Sequence, residues 1–473
     1  MARHKLYTIY TAIPQNYTLS IRQNPYQIVW RGRHAPTTQS RCRKAGCMVP
    51  NSPQYLHFVI NLAVLALCIA PMGGYLSRVY RGKPTFLSPL LSWLEAQLYW
   101  AAGVDAEKGM SWKSYALSVL VFSGFSFVVL YSVLMLQDLQ GVSPALAFKV
   151  AAGFITNSGV SMPAPGSALT PASRMLGLTV QNFLSAAVSI SVFVAVTRGI
   201  TRTASGNIGN FWVDLVRSVL YVLLPLSLAY ALLIATAGVG DAIEAYAVSN
   251  LGHPSTASNG LEAVAATETL KLTVTQAGSF VNANSAHLAA VSTPLTSLID
   301  FLSRWLIPAA LCWTFGNMIR DKRQAYLLLG GVVALFGVSA LTSTEFAQNP
   351  VGTLGGLADR NGTVLYLLVA LMTLTACIRR WVLGRGLVYK DHKVGRFDLT
   401  MALTALLVPA IALGAFHLLS LSLPAFASPL SALDALWGGA ILLSRFWIMI
   451  PALAIAGSFA TTPRSSDGQT KWS

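Results

Sequence analysis

The chain is 473 residues long, 54% apolar and only 11% charged, with 33 Lys and Arg against 17 Asp and Glu for a formal charge of +16. A soluble domain would be about 25% charged, and the mean hydropathy here is +0.56, which excludes an ordinary soluble enzyme. The pattern is that of a multi-span membrane protein, whose basic excess fits loops facing anionic lipid better than it fits nucleic acid.

The first 54 residues carry eight of the basic residues and no Asp or Glu. Alternation of the spans described below puts this segment outside, where basic charge is disfavoured. Residues 1–54 therefore read as an unstructured basic tail, 55–462 as the membrane domain and 463–473 as a polar carboxyl-terminal tail. Two origins fit the first tail. One is an Arg-rich, acid-poor targeting segment, interrupted by Pro14, Pro25 and Pro36. The other, favoured by the pattern, is a start of synthesis at Met48, close before the first span. Cys42 and Cys47 form a lone C-x4-C near His34, too little for a metal site without a second pair. Cys68, Cys312 and Cys377 lie in apolar runs and read as small hydrophobes.

A helix needs about 20 apolar residues to cross a hydrocarbon core of about 30 Å. Segments 56–76, 114–136, 173–196, 211–237, 294–318, 325–342, 362–378, 397–422 and 435–460 meet or approach that, so about nine transmembrane helices are expected. With no water to satisfy the backbone, each is read as helix, and the fold class is all-α integral membrane. Basic residues gather after the third span (Arg198, Arg202), after the fifth (Arg320, Lys322, Arg323) and after the seventh (Arg379, Arg380, Arg385, Lys390, Lys393, Arg396), which assigns those links to the cytoplasm. Residues 84–100 are apolar on one side at helical spacing, with Trp93, Tyr99 and Trp100 placed for the headgroup level, and read as an interfacial helix. Asp300 and Arg304, one turn apart within the fifth span, read first as a self-pair near its outer end. His57, His287 and His417 lie near span ends without metal-ligand company.

Two stretches between spans are too apolar for a free loop and too short or too polar to cross. Residues 144–161 run as a helix into Thr156-Asn157-Ser158-Gly159, and residues 262–284 run into Thr275-Gln276-Ala277-Gly278. Each has the order span, half-helix, small polar turn, span. Irregular backbone at membrane depth is tolerated where it lines a watery cavity, and its carbonyls can replace an ion's hydration shell. The half-helix carboxyl end adds partial negative charge, and Gly159 and Gly278 supply the positive φ needed to aim successive carbonyls at one axis. The competing reading is a polar surface loop, since short Ser/Thr/Gly turns are common.

At this point longer stretches match a family. Residues 179–187 (TVQNFLSAA), 209–215 (GNFWVDL), 282–287 (NANSAH) and 307–312 (IPAALC), supported by Trp112-Lys113, 321–324 (DKRQ), Arg445-Phe446 and 450–458 (IPALAIAGS), together resemble the potassium-binding subunit of the Kdp potassium-transporting ATPase. The resemblance covers roughly 55–460. It implies a superfamily fold of four span, pore-loop, span repeats around one axis, and a subunit that takes external potassium and delivers it to a P-type ATPase partner assisted by small accessory membrane subunits. It also implies a bacterial inner-membrane location. Potassium is the transported ion and no organic cofactor is expected. Carried over by position, Thr156, Asn157, Ser158 and Gly159 fall on the first filter strand and Thr275, Gln276, Ala277 and Gly278 on the second. The chain has no D-K-T-G-T motif and no Walker loop, so hydrolysis belongs to another polypeptide.

The chain departs from the family pattern at several places. The second strand carries Ala277 and Ser279 where the family has glycines, and a Cβ at positive φ costs on the order of 1 kcal/mol. Residues 343–361 and 422–434 stand where the third and fourth filter strands belong, and the family's last helix is missing, leaving an incomplete four-fold repeat. Two other readings therefore stand beside the transport subunit: a transport-defective or regulatory relative, and a self-sufficient cation channel.

Overall fold

The computed structural model describes residues 17–21, 28–32, 52–136, 143–156, 180–201, 206–229, 294–341 and 430–461, with isolated positions at 177 and between 388 and 408. The chain divides into two compact units, Met1–Ser52 and Pro53–Ser473. In the first, β1 (Tyr17–Ile21) pairs antiparallel with β2 (Ile28–Gly32), Tyr17 opposite Gly32 and Ile21 opposite Ile28. Tyr17, Thr18, Ile21, Ile28, Val29 and Trp30 all favour a pleated strand. The reading of an unstructured tail does not anticipate this hairpin.

Among its described residues the second unit is helical apart from the short pair β3 (Val388–Tyr389) and β4 (His392–Lys393). Its helices are α1 (Ser52–Tyr80), α2 (Ser88–Ala102), α3 (Trp112–Leu136), α4 (Pro144–Thr156), α5 (Val180–Thr201) and α6 (Phe211–Arg217), the last continued by a wider π turn over Ser218–Leu223. After them come α7 (Pro294–Ile319), α8 (Lys322–Leu341) and α9 (Leu430–Thr461). Among the described residues, five helical stretches are long and apolar enough to cross a bilayer: Leu56–Tyr80, Trp112–Met135, Phe183–Thr201, Phe211–Ala229 and Asp434–Thr461. They fall on the first four expected spans and the ninth. Helices α7 and α8 stand where the fifth and sixth are expected. The seventh lies outside the described residues, and the eighth is described only at scattered positions.

Helix α5 runs through the middle of this unit. Its side chains from Ala186 to Val196 are buried, and it touches α9, α6, α7, α4 and α3. A helix apolar on all faces and buried on all faces is a central one. Helices α1 and α3 instead turn Leu62, Leu67, Val121, Phe125 and Val128 outward. Such a surface is a liability in water and ordinary in lipid.

Helix α2 follows the segment read as interfacial. Leu90, Trp93, Leu94, Leu98 and Trp100 are exposed, while the inner face at Leu91, Glu95 and Tyr99 rests against α6 and its π turn. Glu95, the one ionisable acid of this helix, is spent on that contact. Its Oε1 accepts from Arg217 Nε at 2.8 Å and from Tyr99 Oη at 2.7 Å, and its Oε2 accepts from Tyr221 Oη at 2.7 Å. Burial pushes the Glu95 carboxyl up, but the three donors and the Arg217 charge together outweigh it and leave the group below the usual glutamate range. Burial, then the bond to Glu95, pushes the Tyr99 hydroxyl well above its ordinary value.

A carboxyl depressed on folding stabilises above its unfolded pKa, and that contribution is lost as the pH falls toward the folded value. Thermal unfolding in detergent should therefore show Glu95→Gln less stable than the wild type at pH 7, by about 2 kcal/mol. The gap should narrow as the pH falls below the ordinary glutamate value and the wild-type carboxylate takes its proton. A gap independent of pH would show that the carboxylate charge is not what pins α2.

Candidate functional site

Helix α4 is thirteen residues long, about 20 Å at 1.5 Å per residue, too short to cross a bilayer. Ser143 caps it, its Oγ accepting from Leu146 N at 3.2 Å, and Pro144 opens the first turn with its fixed φ. From Val150 to Thr156 every residue is buried. Leu146, Ala147, Val150, Ala151 and Phe154 pack against Leu130 and Leu134 of α3, and other faces meet α9 and α5. This short apolar helix, packed among longer ones, lies within the stretch 144–161 whose first part the sequence reads as helix.

Thr156 ends it. Its Oγ1 donates to Ala152 O at 2.7 Å and, more weakly, to Gly153 O at 3.3 Å. The hydroxyl proton is thus committed to the helix, and what the residue can offer a cation is oxygen lone pairs. Asn157, Ser158, Gly159, Thr275, Gln276, Ala277 and Gly278 lie outside the described residues, as does the second half-helix. Of the eight residues assigned to the two filter strands, the structure places Thr156.

The structure adds Arg445, which the sequence reading used only as a mark of resemblance. It stands in the middle of α9 at 3% exposure. Its Nη1 donates to Ile155 O at the carboxyl end of α4, and its Nη2 donates to Ser185 O of α5 at 3.0 Å, with Ser189 Oγ at 3.4 Å. One guanidinium thus joins α9 to the half-helix and to the central span. It also sets positive charge at the helix end whose partial negative charge would favour a cation. The available signal was an Arg inside an otherwise apolar run, a feature that by default marks function.

A second contact clamps the same two helices nearer the start of α9. Lys149 Nζ of α4 lies 2.7 Å from Asp434 Oδ1. Between the two clamps Gly438 faces Phe148 and the Lys149 backbone so closely that a Cβ would collide with them.

Arg198, read as a cytoplasmic loop charge, turns inward instead. At 7% exposure its Nη1 meets Asp214 Oδ2 at 2.6 Å, and its Nη2 donates to Tyr80 O at 2.8 Å. Asp214 is fully buried and also accepts from Tyr115 Oη at 3.1 Å, a hydroxyl within reach of Ser191 O at 2.9 Å. The group ties α1, α3, α5 and α6 at one end. Gly209 enters it at a φ of 122°, where a side chain would be strained and would run into Arg198. Asn210 then caps α6, accepting from Trp212 N at 3.1 Å while its amide donates to Asp105 O and Lys108 O. For Asp300 and Arg304 the described structure extends to the helix that carries them, not to their side chains.

Apolar helices long enough to cross a bilayer, packed around the shorter apolar helix α4, define an integral membrane protein. Residues 59–361, more than half of the chain, match the family model described as potassium-transporting ATPase A subunit (KdpA), and the chain belongs to that family. It is similar to the potassium-transporting ATPase potassium-binding subunit of Methylobacterium nodulans, 40% identical over 309 residues, which covers 63% of this chain and 54% of that relative. The protein of the same description from Solidesulfovibrio magneticus is 33% identical over 537 aligned positions, 88% of this chain and 92% of the relative. That of Sorangium cellulosum is 40% identical over 313 residues, 62% and 53%. The chain thus spans about half the length of the first and third of these relatives.

Proposed function

We propose that this chain is the potassium-binding and translocating subunit of an ATP-driven uptake complex. It takes external potassium and delivers it to a P-type ATPase subunit, which hydrolyses ATP, with small accessory membrane subunits completing the complex. The chain itself is then non-catalytic, and its place is the bacterial inner membrane. The observation that carries this reading is the half-helix α4, buried among apolar spans and ending at Thr156. The printed descriptions of the relatives, as potassium-binding subunits, agree with it.

In this reading Thr156, Asn157, Ser158 and Gly159 form one filter strand and Thr275, Gln276, Ala277 and Gly278 another. Their main-chain oxygens stand in for the water around a dehydrated potassium ion. About nine helices cross the membrane, and both half-helices enter from the outer side.

The test is rubidium uptake in a bacterium lacking other potassium transporters, with the chain expressed beside its ATPase and accessory subunits. Uptake that needs the ATPase supports the proposal, and none despite an assembled complex overturns it. Conductance from the purified chain without nucleotide would mark a channel instead. Within a working complex, Thr156→Ala and Gly278→Asp should each raise the KM for potassium on the order of tenfold, equivalent to about 1.4 kcal/mol, by displacing the strand carbonyls from the ion. An unchanged KM in both would remove these strands from the pathway.

A further inference from the structure

We propose that the Lys149–Asp434 ion pair sets potassium affinity by holding the lysine charge off the first filter strand, so that both are affinity-determining positions. This deepens the transport reading above and rests on it. Helix α4 contains one ionisable side chain, Lys149, seven residues before Thr156 and so about 10 Å up the helix axis. A cation held at the carboxyl end of α4 would feel an unpaired ammonium at that range, through protein of low effective dielectric, strongly enough to lower its occupancy about fivefold to tenfold.

The ammonium is not left unpaired. Its Nζ lies 2.7 Å from Asp434 Oδ1, with the two side chains 24% and 20% exposed. Gly438, one turn beyond Asp434, lets α9 approach Phe148 and Lys149 closely, which brings the carboxylate within reach. The apolar contacts of α4 with α3 are made by Leu146, Ala147, Val150, Ala151 and Phe154 and not by the lysine, which lies on the α9 side. The Arg445 guanidinium at that end is spent on Ile155 O and Ser185 O; the Lys149 ammonium has no such carbonyl role, would oppose a cation held there, and is offset by the Asp434 carboxylate.

The assembled complex carrying Lys149→Met, Asp434→Asn or both tests this through the concentration dependence of rubidium uptake. Asp434→Asn should raise KM about fivefold to tenfold with the maximal rate near that of the wild type. Lys149→Met should leave KM at or below the wild-type value, and the double variant should return KM close to it. A purely mechanical link between α4 and α9 would make the two single variants alike. Lys149→Met raising KM as Asp434→Asn does, with the double variant no better, overturns the proposal while wild-type uptake keeps the transport reading. No uptake by the wild-type complex overturns both. Thermal unfolding of the same variants in detergent separates the remaining case: a KM change accompanied by a matching loss of stability in Asp434→Asn, unrelieved in the double variant, counts against the electrostatic role.

Discussion

Replacing Arg445 with methionine is expected to destabilise the protein by about 3–5 kcal/mol and to abolish potassium uptake. The guanidinium is buried and donates to Ile155 O, Ser185 O and Ser189 Oγ on two other helices. Methionine fills much of the volume but donates nothing. Ser185 O keeps its bond from Ser189 Oγ at 2.9 Å, so the loss is that of the bonds from a buried charged donor, about 1.5–3 kcal/mol each. The carboxyl end of α4 then loses the group that fixes its height against α9, and the strand that begins at Thr156 is displaced with it. Arg445→Lys should fall between the two, since an ammonium keeps the charge but cannot span two sets of carbonyls as a planar fork does. Thermal unfolding in detergent and rubidium uptake check this together. A methionine variant with wild-type unfolding temperature and wild-type KM would show that the arginine neither holds the half-helix nor matters to the pathway.

Much of this arrangement was legible because hydrocarbon leaves the backbone few choices. The apolar runs at 56–76, 114–136 and 435–460 have to be helices, and they are helices α1, α3 and α9. Helix α4 was legible for a different reason: Ser143-Pro144 starts it, and a run of small apolar residues ends in Thr-Asn-Ser-Gly, too soon to cross. What the pattern does not carry is pairing at long range. Lys149 meets Asp434 across 285 residues and Arg445 meets Ile155 across 290, and periodicity says nothing about such partners. Arg198 misled for a related reason. At the edge of a span the same residue can turn out toward headgroups or in toward a carboxylate, and only Asp214, in a different helix, decides between them. In the hairpin at 17–32, the basic charge of the segment masks the strand propensity of Tyr17, Leu19 and Ile21, which alternate along β1.

Asp214→Ala should be nearly as damaging as the loss of Arg445, about 3–5 kcal/mol, because it leaves the Arg198 charge buried without its counter-ion. Tyr115 Oη would also lose the carboxylate that accepts from it. The pair as a whole is another matter. Desolvation of two charges offsets most of their attraction, and a buried pair exchanged for apolar residues of similar size is often neutral in stability or better. The double variant Arg198→Met/Asp214→Leu should therefore recover much of what Asp214→Ala loses, short of the bond from Arg198 to Tyr80 O. This cluster ties the ends of α1, α3, α5 and α6, so its failure should appear as lost yield and aggregation in detergent and not as a shift in KM. A third variant separates charge from shape: Gly209→Ala keeps both ions but adds a Cβ at positive φ against Arg198, and it too should lower the unfolding temperature. If Asp214→Ala unfolds at the wild-type temperature, the four helices are held by their apolar packing alone and the buried pair is dispensable. If instead the double variant is no better than the single, the group acts through its full hydrogen-bond set, with Tyr115 and Tyr80 as necessary as the two ions.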